Sequence, residues 1–97
     1  MSGGDMDLNQ SLTSLIDQAR SVCGEQLDGT LMLELVFWTL EDRRMHWACA
    51  AIDRIDPDTE VELAFGFGPS AEVAVARCSA QLEMRRFGFL PGTLRTV

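Results

Sequence analysis

TLMLELVFWTL, residues 30–40, decides how this chain folds. Read as a strand it alternates, with Leu31, Leu33, Leu35 and Phe37 on one side and Met32, Glu34, Val36, Trp38 and Leu40 on the other. The first side is wholly apolar and needs cover. The second is apolar too but carries a carboxylate, which suits neither an ordinary wet surface nor an ordinary core.

Glu41-Asp42-Arg43-Arg44 reads as a charged hairpin turn into a second strand, Met45 to Ile52. Its Ala48, Cys49, Ala50 and Ala51 are weak strand formers, and a helix competes for the segment. As a strand, its small side chains would let a helix approach the sheet closely. Asp56-Pro57-Asp58 marks a turn. From Thr59 to Phe67 the pattern alternates again, and places Val61, Leu63, Phe65 and Phe67 inward and Glu60, Glu62, Ala64 and Gly66 outward. Gly68 and Pro69 end this strand, and Ser70 is positioned to cap a second helix running to about Phe87. Ala71, Ala74, Val75, Cys78 and Leu82 share one small-residue face of that helix, and Gly88 would stop it. Phe89, Leu90 and Pro91 would fold back on its last turn.

Upstream, Asp5 or Asp7 is placed to cap a first helix. Leu8, Leu12, Leu15, Ile16, Ala19, Val22 and Cys23 recur there at helical spacing, and Gly24 offers a left-handed stop. The order is therefore α-β-β-β-α. It predicts an α+β two-layer sandwich, a three-stranded antiparallel sheet with both helices on one face. The organisation expected is a flexible lead-in (1–6), one domain (7–90) and a tail (91–97).

Composition narrows the function classes. In 97 residues there are 15 acids against 8 bases, all arginine, for a net charge of −7. Such a surface repels phosphate backbones and anionic membranes, and its natural complement is a basic protein surface. Three cysteines, Cys23, Cys49 and Cys78, stand singly without a C-x-x-C pair, so they suggest neither a disulfide framework nor a zinc site. Buried thiols in a reducing compartment are expected. No apolar run reaches the roughly 18 residues of a membrane span, and the acidic N-terminus is unlike a signal peptide. A cytoplasmic location is the expectation.

Helix, three strands and then Gly66-Phe67-Gly68-Pro69-Ser70 opening a helix with Ala74, Cys78 and Leu82 at steps of four resembles the double-stranded-RNA-binding domain. Ser14-Leu15-Ile16 and the hairpin from Leu31 to Ile52 fall in similar order, so the likeness covers most of Leu8 to Phe87. It implies the topology. Where that family carries lysines after the serine to hold phosphates, this chain has Ala71, Glu72 and Val75. The family's RNA contacts therefore do not transfer to these positions.

No catalytic signature emerges, and a non-enzymatic role without cofactors is expected. His46 is the only histidine, tied to no nucleophile, and reads as a partly exposed strand residue. Asp53, Asp56, Asp58 and Glu60 lack the order of a calcium loop and read as a solvated turn. The pairs Arg43-Arg44 and Arg85-Arg86 would meet local carboxylates or close a helix.

What remains is the second sheet face, with Met32, Glu34, Val36, Trp38, Ala48, Glu60 and Glu62 as candidate partner-binding residues, beside Ala50. A contiguous apolar patch with tryptophan, methionine and an acidic rim has the composition of an interface. Its expected occupant is a protein with a basic surface. Alternatives are a second copy in a homodimer, the tail, or nucleic acid on a degenerate RNA-binding-like domain. A small, acidic, lysine-free domain of this kind is similar in type to phage-encoded inhibitors, including anti-CRISPR proteins that occupy nucleic-acid sites.

Overall fold

The computed structural model describes residues 3–39, 45–86 and 93–96. The expected Glu41–Arg44 turn, the Gly88 stop and the fold-back of Phe89 to Pro91 lie outside them. Helix α1 (Gly3–Cys23) is followed by strands β1 (Thr30–Thr39), β2 (Met45–Asp56) and β3 (Thr59–Gly68), then helix α2 (Ala71–Arg86) and a short strand β4 (Thr93–Thr96). The sheet is antiparallel in the order β1-β2-β3-β4. The α-β-β-β-α order and the α+β two-layer architecture are thus as expected. Two boundaries differ. Residues 3–6, read as lead-in, belong to α1, and the segment read as tail contributes β4 against Thr59–Glu62 of β3.

Both helices pack on one side of the sheet, in a core of Leu15, Ala19, Cys23, Cys49, Ala51, Leu63, Ala64, Ala74, Val75, Cys78 and Leu82. Helical spacing brings Leu15, Ala19 and Cys23 to one stripe of α1, as predicted. Gly24 does not end α1 in a left-handed turn. Cys23 (φ −116°, ψ −3°) leads instead into a 3-10 turn, Gly24–Gln26. Ser70 caps α2 as expected, its Oγ accepting from Val73 N–H at 3.2 Å. All five residues of the small face of α2 are buried. Across the helices, Gln18 of α1 donates to Ser79 O and to Glu83 Oε2, each at 3.1 Å, and accepts from Ser79 Oγ at 2.7 Å.

The expected phase of β3 requires correction. Ala51 pairs with Ala64 but Ile52 pairs with Glu62, so Leu63 is an extra residue, a β-bulge. An inserted residue switches every later side chain to the opposite face. Val61 and Leu63 face the core, but beyond the bulge it is Ala64, Gly66 and Gly68 that lie under the helix layer, while Phe65 and Phe67 turn away from it. Steric necessity points the same way. A Cβ on Gly66 would lie 2.1 Å from Ala74 O and 2.3 Å from Cys78 N, so α2 rests directly on this glycine.

Candidate functional site

Residues paired across antiparallel strands share a face, so the register lays out the side opposite the helices row by row. Trp38 pairs with His46. Val36, Ala48 and Phe67 form the next row, then Glu34, Ala50 and Phe65, then Met32, Ile52 and Glu62, and finally Thr30, Arg54 and Glu60. Of the seven residues singled out from the sequence, Met32, Glu34, Val36, Ala48, Glu60 and Glu62 thus share one sheet face. Glu34 is exposed, and Met32, Val36, Glu60 and Glu62 are half-buried. The side chain of Trp38 lies outside the described residues. Ala48 is only 6% exposed, with Ala50 at 3% and Ile52 at 2%. The middle strand is therefore buried on this face, and its exposed and half-buried positions belong mainly to β1 and β3.

The bulge adds residues that sequence reasoning placed elsewhere. Phe67 stacks on His46 with ring centroids 4.7 Å apart and planes 18° from parallel. Phe65 follows at 6.4 Å and 15°. A row of three near-parallel rings thus runs along the face. Two side chains of α2 hold its backbone. Gln81 Oε1 accepts from Phe65 N–H at 2.7 Å, and Arg77 Nη1 donates to Phe67 O at 2.6 Å. They bond β3 beyond Glu62, where its pairing with β4 ends. A signal for these rings was present in the sequence. The alternation Ala64-Phe65-Gly66-Phe67-Gly68 sets small residues against aromatic ones, and a helix with a small-residue face packs closely only on the small set.

The acidic cluster does not converge. Asp53 is buried, 3% exposed, and its carboxylate accepts from the N–H groups of Asp28 and Gly29, each at 2.9 Å. It clamps the turn before β1, where a Cβ on Gly29 would lie 2.0 Å from Arg54 O. Asp56 Oδ1 accepts from Asp58 N–H at 2.8 Å, and Glu60 lies 3.9 Å from Arg54 Nε. Among the described residues no group of three or more His, Cys, Asp or Glu side chains could hold a metal ion.

All three cysteines are free and buried. The Cys49 and Cys78 thiols are hydrogen-bonded across the core, β2 to α2. That bond, with burial, pushes Cys78 far above the usual thiol range, while the same bond draws Cys49 down. The pair keeps at least one proton and offers no exposed nucleophile. A groove of about 490 Å³ between the helices is lined by Gln10, Ser14, Gln18, Glu72 and Ser79 among others, and assembles no acid–base pair. No described helix is long and apolar enough to cross a membrane.

The fold and face together define a class: a two-layer α+β domain with one sheet face roofed by helices and the other bearing stacked rings among carboxylates. No protein-family model matches the chain, and the searches of curated proteins and of solved structures returned no match either.

Proposed function

We propose that this is a non-enzymatic protein-interaction domain that docks through its open sheet face onto a basic surface of a partner protein. The observation that carries the reading is the placement of His46, Phe67 and Phe65 as a ring row on the same face as Glu34, Glu60 and Glu62. Aromatic side chains bury large apolar area with little loss of conformational freedom, and surrounding carboxylates select a positive partner. A net charge of −7 extends that selection over long range and speeds encounter at low salt. Occupying a basic surface is a steric and electrostatic act that needs no catalysis. It suits an inhibitor of the kind that phages and mobile elements encode, blocking a nucleic-acid site.

The test compares wild type with Glu34→Arg/Glu62→Arg in pull-downs from the source cell or its host. Basic proteins retained by the wild type and lost by the folded double variant support the reading. Identical retention by both refutes it, as does light scattering that finds a stable dimer closed over this face. A degenerate RNA-binding role is the second reading, favoured by the ring row, since single strands stack on such rings. Salt-sensitive RNA affinity would support it, whereas the acidic balance opposes it.

A further inference from the structure

We infer that the open face selects arginine over lysine, with Phe65 as the stacking platform for a guanidinium of the partner. This rests on the docking reading and specifies its chemistry. Phe65 is bordered on three sides. Phe67 stands along the strand at 6.4 Å and 15°, Glu34 lies across the sheet through Ala50, and Glu62 follows beyond the bulge. The two ring contacts in the row differ in kind. His46 and Phe67, at 4.7 Å, form a closed stack. Phe65 and Phe67, at 6.4 Å, are more widely spaced, so the Phe65 ring is less tightly covered than that of Phe67, which also stacks on His46.

Charge decides which flat group stacks on Phe65. The carboxylates of Glu34 and Glu62 border the platform, with neighbouring strands about 4.8 Å apart, so a cation over buried Ala50 lies between a ring and a carboxylate. Guanidinium is planar, weakly hydrated and able to stack on a ring while bonding a carboxylate in two places. An ammonium is compact and strongly hydrated, and gains only the point-charge part. The face already holds one guanidinium–carboxylate pair from within the chain, Arg54 with Glu60.

Fluorescence anisotropy with labelled oligo-arginine and oligo-lysine peptides of equal length tests this on the full chain. The arginine peptide should bind about three- to tenfold tighter, the scale of one or two exposed cation–π contacts. Phe65→Leu should bring that ratio close to one while circular dichroism stays native. A readout without any variant is the ring-current upfield shift of the arginine δ protons on binding. Equal affinities for the two peptides, a ratio that survives Phe65→Leu, or no upfield shift overturns the arginine inference and leaves the basic-partner reading standing. If wild type and Glu34→Arg/Glu62→Arg bind both peptides equally, the docking reading falls as well.

Discussion

Replacing Gly66 with alanine adds one methyl group at the point where sheet and helix meet most closely. That Cβ would stand 2.1 Å from Ala74 O, 2.3 Å from Cys78 N and 2.9 Å from Arg77 C, all backbone atoms of α2. An ordinary carbon–oxygen approach is about 3.4 Å, so α2 must lift by more than about 1 Å. No rotamer change can relieve contacts made by backbone, and lifting α2 opens the core around Ala74, Cys78 and Leu82. Overpacking typically costs about 1–3 kcal/mol, and this geometry belongs at the upper end, near 3 kcal/mol. A domain of this size has roughly 5–15 kcal/mol in total. At about 4–8 °C per kcal/mol, the melting temperature should drop by roughly 12–24 °C. Gly24→Ala is the control, because nothing lies within 4 Å of its added Cβ. It should be neutral, or stabilise by up to about 1 kcal/mol through the unfolded chain. Urea denaturation followed by circular dichroism and tryptophan fluorescence measures both. If Gly66→Ala unfolds within about 0.5 kcal/mol of wild type, the normal scatter of surface changes, then α2 does not rest on Gly66. The outward phase of Phe65 and Phe67 would fail with it.

Asp53→Ala removes a carboxylate bonded to two backbone N–H groups; since Asp28 and Gly29 are exposed and water can replace part of the loss, about 1–3 kcal/mol should disappear from the urea-derived stability, and no change would refute the clamp. The raised pKa of Cys78 stabilises the fold fully below about pH 9, the ordinary thiol value, and that contribution is lost as pH rises further, because unfolding frees the thiol to ionise. Urea midpoints should therefore fall above that pH in wild type and less steeply in Cys78→Ala, and maleimide should label the native thiols far more slowly than the unfolded ones. Glu83 is held below the usual carboxylate range by hydrogen bonds from Gln18 and Arg86, so its stabilising effect is present above its ordinary value and lost as pH falls through the lowered one. Glu83→Gln should flatten the acid limb of the stability curve below pH 4.5; an unchanged limb would show that this exposed carboxylate contributes nothing measurable.

Local pattern was enough for much of this protein. The spacing of Leu8 through Cys23, the Ser70 cap, the small face of α2 and the alternation of Leu31 to Phe37 are short-range consequences of helix and strand periodicity. They specified the element order and the common face of Met32, Glu34 and Val36. Periodicity fails where one residue is inserted, because alternation inverts beyond it and nothing nearby announces the break. The bulge at Leu63 exists because α2 seats on glycine and alanine and leaves no room there for a phenyl ring. That is a contact between segments distant in the chain, and only the packed structure decided it. The same holds for Asp53, whose buried carboxylate is satisfied by amides more than twenty residues upstream, and for β4, whose pairing with β3 depends on the chain returning to the sheet edge after α2.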